Sequence, residues 1–150
     1  MSRAILGVIG AGHADEDTIR TAEEVGRLIG GRALLVCGGL GGVMEAAARG
    51  ARGADGTTIG ILPGSDTHEA NAWIDIPVAT GMGEARNMVI VRTADVLIAI
   101  GGEYGTLSEI AFALKAGKPV IGLRTWDIPG VIKADDEADA VRKAFSALQP

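Results

Sequence analysis

The sequence predicts a single α/β domain over residues 1–150, built as a doubly wound parallel sheet with helices on both faces. Three observations carry that expectation. Short apolar runs alternate with helix-like patterns along the chain, as a parallel sheet with right-handed crossovers requires. Hydrophobic residues make up 47% of the chain but aromatic residues only 3%, so the core must be built from Val, Ile, Leu and Ala, the composition of strands buried on both faces. The 23 glycines exceed the usual share of about 7% and gather at the ends of apolar runs, where strands turn into helices.

The elements follow in order. Residues 4–9 form an apolar run that ends at Gly10 and read as a strand; 17–29 place apolar residues at helical spacing; 33–37 are a second strand. Residues 42–52 read as a helix, 57–62 as a strand, 74–79 as a short strand and 84–93 as a helix. The run at 96–100, Val-Leu-Ile-Ala-Ile, is the clearest buried strand. Residues 105–116 form a helix stopped by Gly117 and Pro119, 120–123 a strand and 137–148 a closing helix. The longest stretch without a pattern, 63–72, is expected to be a mobile loop near the site, with Asp66, His68, Glu69 and Asn71 as its polar members.

A chain of 150 residues buries about 68–70% of its unfolded surface, enough for a core without staples. The net charge of −5 supplies no basic field, so neither nucleic acid nor a membrane surface is expected as a partner. One cysteine, Cys37, cannot form an internal disulfide, and no segment reaches about 18 apolar residues. The first ten residues have too short an apolar run and too early a glycine for a signal peptide. A cytoplasmic location is expected.

Four segments carry chemistry. Gly10-Ala11-Gly12-His13-Ala14-Asp15 begins like a dinucleotide fingerprint, but its third glycine is Asp15 and nothing between positions 25 and 44 is acidic. A tight turn with room for a ligand at Gly10 and Gly12 is the better reading. The second segment, with Gly38, Gly39, Gly42 and Met44, is another strand, glycine loop and helix; its alternative is close packing of helix on strand. The third runs from Ile98 through Gly102, Glu103, Tyr104, Gly105 and Thr106 to Glu109. Its glycines let backbone N–H groups approach an anion, Thr106 adds a hydroxyl, and the following helix points its positive end at the ligand. In a parallel sheet such loops collect in one crevice. The fourth segment brings Arg86 to a helix start, suited to phosphate or carboxylate, although a lone helix arginine is also a common ion-pair partner. Cys37 closes an apolar strand and reads as core, and His13 and His68 have no metal-site spacing. Trp73 and Trp126 read as packing residues, with Trp126 the candidate for stacking on a ring.

Together the two glycine loops, Arg86 and the run Gly105-Thr106-Leu107-Ser108-Glu109 resemble the LOG-like proteins, a Rossmann-type family once labelled lysine decarboxylases. The chain looks most like a short bacterial branch that also resembles molybdenum cofactor carrier proteins. The likeness spans about residues 7–123. Its most specific piece is the proline-glycine-glycine-x-glycine-threonine-x-x-glutamate motif, matched at 101–109, where the proline is Gly101 and the second glycine is Glu103. The resemblance implies phosphate binding at this loop and cleavage of an N-glycosidic bond by Glu109 with Arg86. The histidine-glutamate-arginine-lysine run of the LOG enzymes is Glu84-Ala85-Arg86-Asn87 here, so its lysine is absent. Pyridoxal phosphate chemistry is disfavoured, because Lys115 and Lys118 lie at the far end of their helix and Lys133 and Lys143 in the C-terminal region.

Two functions are therefore expected to compete. One is a phosphoribohydrolase acting on a nucleoside 5′-monophosphate, in which Glu109 stabilises an oxocarbenium-like ribose. The other is a carrier or sensor that holds a molybdopterin-type ligand or a nucleotide without turnover. Neither requires a further cofactor. The family also implies a homo-oligomer, a dimer or tetramer.

Overall fold

The computed structural model describes residues 3–149. Seven strands form one sheet: β1 (Ile5–Gly10), β2 (Leu34–Cys37), β3 (Thr57–Leu62), β4 (Ile76–Ala79), β5 (Val96–Ile100), β6 (Val120–Leu123) and β7 (Ile132–Lys133). Their order is β4-β3-β2-β1-β5-β6-β7, and every pairing is parallel. Five helices accompany them: α1 (Glu16–Ile29), α2 (Val43–Gly53), α3 (Arg86–Thr93), α4 (Tyr104–Lys115) and α5 (Glu137–Ala147). The doubly wound α/β class expected from the alternation is the fold observed.

The chain winds outward from β1 to β4, returns to lay β5 against the other side of β1, and winds outward again to β7. This reversal between β1 and β5 positions the site. Their register sets Gly10 beside Ile100 at the carboxyl ends, where open α/β sheets form a crevice.

Strand periodicity divides the core between the two faces. Leu6 and Val8 of β1 and Val96, Ile98 and Ile100 of β5 pack with α1, α2 and α5, whereas Ile9, Leu97 and Ala99 pack with α3 and α4. On the first face α1 and α2 touch through glycines: a Cβ at Gly26 would lie 2.0 Å from the Ala47 carbonyl oxygen, and one at Gly50 would lie 2.0 Å from that of Glu23. Only hydrogen fits there, so these two glycines set the spacing of the helix pair.

Several ends shift by one residue, and three strands or helices differ from the sequence expectation by more. The helix read over 84–93 begins as a 3₁₀ turn at Gly83–Ala85, and α3 proper starts at Arg86. Gly81 and Gly83 adopt positive φ and the Gly83 amide bonds to Pro63, which fixes the entry of the chain. Strand β4 starts at Ile76, because Ile74 and Asp75 are held by bonds to Asn71 and Thr58. Strand β7 was not anticipated; it is two exposed residues long, too short for any periodicity. The loop over 63–72 contains a 3₁₀ turn at Thr67–Glu69 and is tied down by Asn71, whose Nδ2 donates to the carbonyls of Gly39 at 3.2 Å and Leu40 at 2.8 Å. Among the described residues, no helix is long and apolar enough to cross a membrane.

Candidate functional site

A cavity of about 400 Å³ opens beyond the carboxyl ends of β1, β2 and β5, at the point where the strand order reverses. That volume suits a drug-sized ligand. Of the residues singled out in the sequence, Gly10, Gly12, Gly38, Met44, Arg86, Glu103, Gly105, Thr106 and Glu109 all line it.

The remaining four do other work. Gly39 lies against Leu62 and Gly60, and Gly42 against Ala11 and Gly12, where added Cβ atoms would come within 2.7 and 2.3 Å of their neighbours. Gly102 adopts φ +101° beneath the Thr106 side chain. Tyr104 is 80% exposed and stacks on Trp126 with ring centroids 6.0 Å apart. Loop residues Asp66, His68, Glu69 and Asn71 are outside the wall; Asp66 and His68 bond to each other in solvent. Sequence reasoning missed Leu40, Pro63 and Asn87 as wall residues. Asn87 was the most legible of these, since it directly follows Arg86.

The two glycine loops treat their helices differently. At α2 the Val43 amide is already bonded to the Ala11 carbonyl at 3.0 Å. At α4 no side chain caps the helix, and the amides of Tyr104, Gly105 and Thr106 have no partner among the described residues. Helices α1 and α5 are instead closed by Asp15 and Asp136, whose carboxylates accept from Thr18 and Asp139 amides at 2.8 Å. The α4 end is open where it meets the cavity, and α2, whose Met44 also lines it, has no side-chain cap either; of its first three amides only that of Val43 is bonded among the described residues. Unpaired amides with a helix dipole attract anions. The loop leading to it is braced by the Thr125 hydroxyl donating to the Gly101 carbonyl at 2.5 Å and by Trp126 Nε1 donating to the Glu103 carbonyl at 3.2 Å. Gly101, where the family motif has proline, adopts φ +55°, a conformation closed to proline.

Opposite this end lies Arg86. Its guanidinium packs over Gly38, where a Cβ would sit 2.8 Å from Nη2, and its Nη1 donates to Asn87 Oδ1. Asn87 Nδ2 reaches the Ser108 hydroxyl at 3.5 Å, and that hydroxyl donates to Gly105 at 2.6 Å, so α3 and α4 are linked at the cavity. The Nε of Arg86 is buried and unpartnered. Burial lowers the pKa of this guanidinium while Glu109 raises it; the group stays charged.

Glu109 is 6% exposed on the second turn of α4. Burial pushes its carboxyl up to about 8, with Arg86 pulling the other way. It forms no ion pair within 4.0 Å among the described residues. Behind Gly38, Cys37 is fully buried in the core, its thiol pushed up to about 11 by desolvation, which makes it a poor nucleophile. Lys118 donates to the carbonyls of Arg92 and Ala94 at 2.7 and 2.5 Å, closing the C-terminal end of α3. No group of three or more His, Cys, Asp or Glu side chains placed to hold a metal ion occurs among the described residues.

Known proteins share this architecture. The molybdenum cofactor binding protein of Rippkaea orientalis superposes with a TM-score of 0.94 at 39% identity, covering 99% of both chains. The molybdenum cofactor carrier protein of Chlamydomonas reinhardtii does so with a TM-score of 0.88 at 38% identity, covering 98% of this chain and 99% of that one. An uncharacterized protein of Archaeoglobus fulgidus is 52% identical over 120 residues, 79% of each chain. The family model described as the SLOG cluster4 family matches residues 3–148. The LOG-like resemblance of the 101–109 run and the likeness to cofactor carriers thus both hold, and the chain belongs to the SLOG cluster4 family.

Proposed function

We propose that this protein binds and carries a phosphorylated pterin of the molybdenum cofactor class in the cavity between β1 and β5. The observation that carries the reading is the juxtaposition of the uncapped α4 terminus with the guanidinium of Arg86 in one cavity wall. The open amides and the Arg86 guanidinium line one cavity, and a phosphate there accepts from both. In this reading Gly105, Thr106 and Arg86 hold the phosphate, Glu103 lies at the rim, and the ring rests on the apolar side formed by Leu40, Met44 and Pro63. Gly12, where a Cβ would meet only Met44 at 3.8 Å, lets the ligand approach the backbone, while Gly38 makes room for Arg86 and Met44 and Gly10 for Val43. The molybdenum cofactor binding protein and carrier protein, similar over nearly the whole chain, support the same choice. The test is fluorescence titration of the purified protein with a pterin phosphate monoester and with molybdenum cofactor released from a donor enzyme. Saturable binding of both, lost on Arg86→Ala, is expected; absence of binding overturns the reading.

A second reading, hydrolysis of a nucleoside 5′-monophosphate, is favoured by one observation. Burial brings the Glu109 carboxyl to about 8, near the value useful for general acid-base catalysis at neutral pH. Incubation with a panel of nucleoside monophosphates and measurement of free base decides it. Release abolished by Glu109→Ala supports turnover, and no release from any member refutes it. Self-association, implied by the family, is tested by sedimentation, where a monomer at micromolar concentration refutes it.

A further inference from the structure

The buried carboxyl of Glu109 has an electrostatic difficulty that the carrier reading must resolve. It shares a cavity with the α4 terminus and Arg86, where that reading places a phosphate dianion. A carboxylate beside a bound dianion, 6% exposed and without a hydrogen bond among the described residues, would suffer both desolvation and like-charge repulsion. The surrounding groups offer little relief. Among the described residues Arg86 from α3 is the cation that acts on it, and in the carrier reading it is shared with the ligand. Cys37 at the end of β2 is a neutral thiol, while His13 of the β1–α1 loop, Glu84 of the 3₁₀ turn and Glu103 at the start of α4 line the cavity from its exposed side.

Resting on the carrier reading, we propose that Glu109 acts as a neutral carboxylic acid in the complex and donates its proton in a hydrogen bond to a ligand oxyanion, so that ligand uptake and proton retention are linked at this residue. The protonated acid supplies one donor and removes one charge, which converts a repulsive contact into an attractive one. No bond to carbon or phosphorus changes. The ordinary role of a glutamate in such a cavity, a carboxylate facing a developing cation, demands the opposite protonation state. Burial already biases the free protein toward the acid form, with the carboxyl at about 8, so a ligand arriving at neutral pH finds the donor in place.

The consequence is a slope in affinity. Above about pH 8 a phosphate monoester is fully dianionic, and ionisation of the pterin ring is common to both proteins, so a pH dependence that differs between wild type and Glu109→Gln comes from Glu109. With one proton retained per ligand, affinity should fall up to tenfold for each pH unit above 8. The experiment titrates the wild-type protein and Glu109→Gln with a fluorescent pterin phosphate monoester from pH 7 to 10, alongside carbon-detected NMR of the glutamate carboxyls in the ligand-free wild type. The expected result is an affinity that falls more steeply in the wild type than in E109Q, by up to tenfold per pH unit, and one glutamate titrating near 8. Binding with the same pH profile in both proteins, or every glutamate carboxyl titrating below 6, overturns the proton linkage while leaving the carrier reading intact. Absence of probe binding at every pH overturns the carrier reading, and this inference with it.

Discussion

Replacing Glu109 by glutamine isolates the cost of keeping a carboxyl in the cavity wall, without any ligand. The residue is 6% exposed and its carboxyl is raised from the ordinary 4.5 to about 8 by burial. A folded-state value above the unfolded one means that the native protein holds this proton more tightly. The stabilisation is complete below pH 4.5, declines as pH rises, and is gone above about 8. At ~1.4 kcal/mol per pH unit, the interval amounts to about 5 kcal/mol. Glutamine has nearly the same shape and does not titrate, so the difference in unfolding free energy between wild type and E109Q removes the contributions of other ionisable groups. Urea unfolding of both proteins at fixed concentration from pH 4.5 to 9 measures it. The expected outcome is that the wild type weakens relative to E109Q by several kcal/mol across this window, with most of the change complete by pH 8. A difference constant to within about 0.5 kcal/mol would refute the reasoning, because it would mean that Glu109 ionises in the fold as it does in water.

Three further outcomes follow from the same geometry. Gly26→Ala drives a methyl into the Ala47 carbonyl and should destabilise the fold by at least ~1–3 kcal/mol despite the better helix propensity of alanine, whereas Gly53→Ala, with open space around its Cβ, should stabilise it by ~0.4–1 kcal/mol; paired thermal melts test the opposite signs. Arg86→Lys removes the planar fork over Gly38 and should weaken binding of a pterin phosphate by about 10- to 150-fold, the equivalent of ~1.5–3 kcal/mol, as read by titration. Cys37 should resist a thiol-exchange reagent at pH 8 in the native protein and react once urea unfolds it; rapid native labelling would contradict its burial.

The sheet was legible wherever burial wrote a continuous apolar run, as at 96–100, and illegible where the element was two exposed residues at an edge, as in β7. The start of α3 was obscured because Glu84 and Ala85 are ordinary helix formers, while the decisive events, positive φ at Gly83 and its bond to Pro63, are tertiary. The crevice itself could be read from glycine loops at strand ends. The division of labour among those glycines could not, because Gly38 against a guanidinium and Gly39 against Leu62 are the same residue to any pattern. Tyr104 stands beside the phosphate-loop glycines in the motif, yet its ring turns to Trp126, a partner supplied by a loop after β6. Leu40 and Pro63 carry no chemistry that a sequence scan weighs, and only the fold brings them to the cavity wall.

The open end of α4 has a consequence for the empty protein. In α1 and α5 an aspartate completes the first turn permanently; in α4, on the proposed reading, the cargo would do so. Occupancy then becomes a mechanical property of the molecule: at a ligand concentration 100 times Kd the loaded fold gains about 2.7 kcal/mol over the empty one. Loaded and empty copies would differ in their rates of local opening around the 101–106 segment, so a protease or an acceptor protein could distinguish them without touching the ligand.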